Sequence, residues 1–115
     1  DAYNANPSSM SAAIENLSSM KSNNKVAIVG DMFELGEEAE EEHQAIGKLL
    51  AEKKFNAVYL CGKLMKAAQT EIPSAQYLET KEDLLKALQQ KPISNATILI
   101  KASRGIGLET IVDVL

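Results

Sequence analysis

Lys25-Val26-Ala27-Ile28-Val29-Gly30-Asp31 is a short run rich in β-branched residues, closed by glycine and followed at once by an acid. Apolar residues at consecutive positions, without alternation, mark a strand covered on both faces, as in a parallel sheet. The same pattern returns at Asn56 to Cys61 and at Ala96 to Lys101, with a briefer strand from Ala75 to Leu78. Between these runs apolar residues recur at three- and four-residue spacing, which is helical. The periodicity predicts helices from about Pro7 to Lys21, Glu37 to Lys54, Gly62 to Thr70 and Thr80 to just before Pro92, and a terminal helix from about Leu108. Strands that alternate with helices make an α/β domain: a mostly parallel sheet with helices on both faces.

The 115 residues fit one domain, 1–115, able to bury roughly two-thirds of its unfolded surface. An apolar share of 45% and a charged share of 24% are those of an ordinary globular chain. A net charge of -4, the lack of any basic stripe, and only three tyrosines and two phenylalanines argue against nucleic acid as a partner. Cys61 is the single cysteine, so no internal disulfide can form, and its apolar run predicts a buried, inert thiol in a reducing compartment. No apolar stretch approaches the ~20 residues of a membrane span. A cytoplasmic protein is expected, with no membrane partner. The chain opens without Met, inside its most polar motif, which is the expectation for a fragment of a larger protein.

That motif, Asp1-Ala2-Tyr3-Asn4-Ala5-Asn6-Pro7, puts a carboxylate, a phenol and two carboxamides on a loop that feeds a helix. Asn6 is suited to cap the helix and Pro7 to occupy its first position. Free backbone N–H groups at such a place favour anionic ligands, although Asx residues also serve any helix start. A second polar loop, Asp31-Met32-Phe33-Glu34-Leu35-Gly36, follows the first strand, at the edge where α/β proteins hold ligands. A third, Lys101-Ala102-Ser103-Arg104-Gly105-Ile106-Gly107, follows the last strand. It is not a dinucleotide fingerprint, because Thr110 stands where the third glycine belongs. All three loops are expected at one carboxyl edge of the sheet.

Other suggestive patterns have plainer readings. The acidic block Glu37 to Glu42 complements a helix dipole and otherwise faces solvent. His43, the only histidine, has no second ligand at metal spacing and belongs near the core or the Asp31 loop. Gly47-Lys48 and Gly62-Lys63 are followed by leucine, so neither is a phosphate loop. Thr80-Lys81-Glu82-Asp83 resembles a capping box.

The three polar loops, taken with His43, resemble the C-terminal domain of the Mur ligases, and within them the enzymes that add D-alanyl-D-alanine. The resemblance covers nearly the whole chain in order. It implies a Rossmann-like three-layer domain of an ATP-dependent, amide-forming ligase of peptidoglycan-precursor synthesis. In such ligases ATP phosphorylates the terminal carboxylate of UDP-muramoyl-tripeptide, and the amine of D-Ala-D-Ala attacks the acyl phosphate. The phosphate loop and Mg ligands belong to a central domain that 1–115 lacks, so the implied partners include the N-terminal and central domains, and the isolated domain is expected to be inactive, with no catalytic or metal residue of its own.

Carried over by position, Asp1 matches the acid that accepts hydrogen bonds from the ATP ribose. Asn4 and Asn6 match residues that face the closed active site. Asp31 would orient an amine or a nearby cation, and Ser103 and Arg104 match the last loop, where an Arg fork suits the dipeptide carboxylate. One departure stands out: Ala102 occupies a position where the family usually has glycine, and a positive φ there would strain an alanine. The competing readings are the same domain of another Mur or folylpolyglutamate-synthetase-like ligase, and a stand-alone Rossmann-like binding or interaction module.

Overall fold

A computed structural model describes residues 5–108. Four strands, β1 (Lys25–Gly30), β2 (Ala57–Cys61), β3 (Gln76–Leu78) and β4 (Thr97–Lys101), form one parallel sheet in the order β3-β2-β1-β4. Val26 pairs with Ala57 and Gly30 with Cys61 on one side of β1, while Val29 pairs with Lys101 on the other. The last strand, β4, is thus parallel to β1.

The consecutive apolar residues of β1 and β2 divide between two cores. Ala27, Val29, Val58 and Leu60 meet α1 (Pro7–Ser19), α2 (Ala39–Lys53) and α3 (Lys66–Gln69) on one face. Val26, Ile28, Tyr59 and Cys61 meet Leu84 and Leu88 of α4 (Lys81–Gln90) on the other. Three layers result, as the strand pattern required. At ~25 cal/mol per Å² of buried apolar surface, these two slabs supply the main driving force for folding.

Local chemistry sets the helix ends. Asn6 Oδ1 accepts from Ser9 N–H at 2.8 Å and Ser9 Oγ accepts from Asn6 N–H at 3.1 Å, a reciprocal cap with Pro7 just inside it. α1 stops at Ser19, short of Lys21, where Lys25 Nζ donates to Ser18 O at 2.6 Å and satisfies a terminal carbonyl. The acidic block begins as a short 3₁₀ turn, Gly36–Glu38, before α2 proper. Thr80 Oγ1 accepts from Asp83 N–H at 3.1 Å and caps α4.

One predicted helix is much shorter than its periodicity suggests. Leu64, Met65 and Ala68 have helical spacing, yet α3 covers only Lys66–Gln69. Gly62 has φ +117, outside the helical region, and Met65 N–H bonds to the Asp31 carboxylate at 2.9 Å. A side chain 34 positions away therefore takes a donor the helix would have used. The terminal helix expected from Leu108 lies outside the described residues, apart from Leu108 itself.

Candidate functional site

β1 has β2 on one side and β4 on the other, so the chain reverses its direction of travel across the sheet at β1. In open α/β sheets the crevice beyond the carboxyl ends of the strands at such a switch point is the ligand position. Here the loops that leave β1 and β4 meet there. Ser103 N–H donates to Asp31 O at 2.8 Å, Ser103 Oγ accepts from Phe33 N–H at 2.7 Å, and the same hydroxyl donates to Ala5 O at 3.4 Å. One serine, 3% exposed, joins all three polar stretches. The second and third loops meet as expected, with Ala5 of the first bonded to the same serine, and Ser103 sits behind the surface as their fastener.

The Asp31 loop is anchored residue by residue. Asp31 N–H donates to Cys61 O at 3.2 Å, Met32 N–H to His43 Nε2 at 3.0 Å and Phe33 N–H to Ser103 Oγ. His43 therefore lies both in the core and against this loop, as its place on the α2 stripe suggested. The Asp31 side chain is 4% exposed and accepts from Met65 N–H and Leu64 N–H, which fastens the turn after β2. Burial raises its pKa, against the opposing pull of those two amides.

An open cleft of about 650 Å³ lies at this edge, lined by Asp31 and Phe33 from the first loop, Gly62 to Leu64 from the turn after β2, Glu79 to Glu82 at the start of α4, and Gly105-Ile106. Lys63 and Lys81 bring positive charge to it, Glu79 and Glu82 negative. Phe33, 40% exposed, lies against Gly105 so closely that a β-carbon on Gly105 would stand 2.8 Å from the ring. Of the candidate ligand contacts within the described residues, Asn6, Asp31, Ser103 and Arg104, only Asp31 lines the cleft. Asn6 is exposed, but its side-chain oxygen is committed to the α1 cap. Arg104 is exposed beside Gly105, in the 3₁₀ turn Arg104–Ile106. Asp1 and Asn4 lie outside the described residues.

Lys63, Lys81, Glu79, Glu82 and Phe33 were missed as site residues. Only their position at strand ends and helix starts could have signalled them. Ala102 carries no such strain, since among the described residues the non-glycine ones with positive φ are Glu34, Lys54 and Asn95. Its methyl instead fills space over Gly30, where an added β-carbon would lie 2.7 Å from it. Among the described residues no three His, Cys, Asp or Glu side chains gather to hold a metal ion, and no helix is long and apolar enough to cross a membrane.

The family described as Mur ligase, glutamate ligase domain, matches residues 1–104. The chain belongs to the Mur ligase family. This Mur ligase domain is 37% identical over 119 residues to the UDP-N-acetylmuramoyl-tripeptide–D-alanyl-D-alanine ligase of Bacillus subtilis (strain 168), with 97% of the chain and 26% of that protein covered. The Escherichia coli (strain K12) ligase of the same name is 35% identical over 120 residues, with 100% and 26% covered. Among solved structures, MurF from Acinetobacter baumannii aligns with a TM-score of 0.84 at 31% identity, over 98% of this chain and 26% of that one. MurF from Thermotoga maritima in complex with ADP aligns at 0.75 and 26% identity, over 99% and 26%. The chain spans about a quarter of the length of these relatives.

Cys61 also borders the cleft, at 1% exposure. It is buried, and burial followed by the charges of Asp31, Asp83 and Glu82 pushes its pKa up to about 11. On the order of one thiol in a thousand is then ionised at pH 8. Labelling of the folded chain by a disulfide reagent at that pH is expected to be at least about 100-fold slower than labelling in urea, and equal rates would show the thiol to be accessible.

Proposed function

We propose that this chain is the C-terminal domain of an ATP-dependent ligase that joins D-Ala-D-Ala to UDP-N-acetylmuramoyl-tripeptide in peptidoglycan-precursor synthesis, and that the carboxyl-edge cleft receives the dipeptide. The observation that carries this reading is a cleft of mixed charge at the switch point of a Mur ligase domain. A dipeptide zwitterion suits such a rim. Lys63 and Lys81 offer donors to its carboxylate, with Arg104 on the adjoining turn, while Glu79 and Glu82 suit an ammonium group. Phe33, Leu64 and Ile106 flank the volume that two small methyl groups would occupy.

Within this reading Asp31 shapes the floor and holds the turn that carries Lys63. Ser103 fixes the relative position of the three loops and does not itself reach the ligand. Asn4 and Asn6 face the reacting groups when the central domain closes on this one, and Asp1 accepts hydrogen bonds from the ATP ribose. ATP, when bound, supplies the phosphoryl group that activates the tripeptide carboxylate. The phosphates and Mg are assigned to the central domain, and the reaction to the cytoplasm. The part played here is to grip and orient the amine substrate, which contributes to rate through positioning.

The test is product formation by the full-length protein from UDP-muramoyl-tripeptide, D-Ala-D-Ala and ATP. Failure with the dipeptide, together with turnover of a single amino acid, would assign the domain to a different ligase of the family. A Gly-Lys-Thr or Gly-Lys-Ser phosphate loop is expected about 200 residues upstream of Asp1 in the gene. In the same enzyme Asp1→Ala is expected to raise the KM for ATP about tenfold, with the KM for the dipeptide unchanged. An unaltered ATP KM would remove the ribose role.

A further inference from the structure

His43 is fully buried on α2, and both of its ring nitrogens are used. Nδ1 lies 2.6 Å from Ala39 O, which can only accept, so Nδ1 carries the proton. Nε2 lies 3.0 Å from Met32 N, which can only donate, so Nε2 is the bare acceptor. A single neutral tautomer satisfies both neighbours. An aliphatic side chain would fill the same volume, and yet the one imidazole of the chain stands here, aimed at the backbone of a loop that borders the cleft.

That loop has a reason to need the anchor. Glu34 holds φ 65, a left-handed conformation unfavourable for a residue with a β-carbon, and it follows directly after the three held amides of Asp31, Met32 and Phe33. Strained backbone of this kind persists where its surroundings over-determine it. Phe33, exposed between the last anchored amide and the strained residue, forms one wall of the cleft.

We propose that His43 is a positioning residue for the amine substrate: through Met32 N–H it fixes the Asp31 to Leu35 loop in the shape that sets the Phe33 wall and the Asp31 floor of the cleft. It touches no substrate and acts through one backbone hydrogen bond from α2. The proposal rests on the ligase reading for the identity of the substrate, while the anchor itself stands on geometry.

Three variants of the full-length ligase separate anchoring from core filling. His43→Met keeps apolar volume and loses the acceptor. His43→Gln can place its amide oxygen near the former Nε2, and His43→Asn reaches only as far as Nδ1 did. The KM for D-Ala-D-Ala is expected to rise about tenfold in the Met and Asn variants and to stay within about threefold of wild type in the Gln variant, with the KM for ATP unchanged throughout. Hydrogen exchange read by mass spectrometry over residues 31–36 should quicken in the Met and Asn variants and not in the Gln variant. A Met variant with wild-type dipeptide KM and exchange, or a Gln variant no better than Met, overturns the proposal. Should His43→Met fail to fold, the Gln and Asn comparison decides alone. Wild-type enzyme that makes no product from the dipeptide sinks the ligase reading, and the exchange rates then decide the anchor.

Discussion

Gly47→Ala is expected to destabilise the chain by about 3 kcal/mol, even though alanine is the better helix former by about 1 kcal/mol. Gly47 is buried in the middle of α2, where that helix crosses α3. A β-carbon there would lie 2.3 Å from Ala68 O and 2.9 Å from its carbonyl carbon and Cα. Those atoms are backbone, so no rotamer change relieves the overlap, and α3 must move away from α2. Movement of α3 also drags the preceding turn, which Asp31 holds through Met65. The measurement is a urea melt of the wild-type and variant chains, with the difference taken from midpoints at constant slope. In thermal melts the midpoint should fall by about 10 °C or more. A loss under about 1 kcal/mol would mean that the two helices are not in backbone contact.

Gly47 also shows where sequence reasoning reaches its limit. In sequence it invites comparison with a phosphate loop, and once that comparison fails it reads as a tolerated glycine in a helix. Its actual role depends on a second helix packed on top of it. The sheet was legible for the opposite reason: Val26 to Val29 and Val58 to Leu60 bury both faces of their strands, and burial on both faces leaves a contiguous apolar signature in the chain itself. The turn after β2 was misread as helix because its amides are taken by Asp31, which no local window contains. For the site, the three polar loops and their shared edge were legible, since strand ends and helix starts dictate where such loops go. The walls of the cleft were not. Phe33, Lys63 and Lys81 are ordinary surface residues until the fold brings the turn after β2, the start of α4 and the first loop together. That Ser103 is buried, with its hydroxyl between Phe33 N–H and Ala5 O, depends on which way one hydroxyl points, which no local window contains.

Asp31→Ala should cost the full-length ligase about 100-fold in kcat/KM for the dipeptide, close to 2.7 kcal/mol of transition-state stabilisation. Removal of the carboxylate leaves the Leu64 and Met65 amides without their acceptor, one of them in a buried bond, and each orphaned donor costs about 1–3 kcal/mol. Gly62 is fitted to the same group: a β-carbon there would lie within 2.3–2.4 Å of the carboxylate atoms, so turn and acid are shaped to one another. Without the acid the turn that carries Lys63 relaxes and the cleft loses a side. Asp31→Asn separates shape from charge. The folded state raises the pKa of Asp31 above its ordinary 3.8, chiefly by burial, so the native chain binds that proton more readily than the unfolded chain does. The stabilisation linked to that proton is complete below the unfolded value and is lost as pH rises through the folded one. Asparagine does not titrate. The stability of wild type minus that of Asp31→Asn should therefore fall in urea melts as pH rises above 3.8. A difference that grows with pH would mean that the two amides outweigh burial and hold the group ionised, and a dipeptide kcat/KM within about threefold of wild type for Asp31→Ala would remove the acid from the architecture of the cleft.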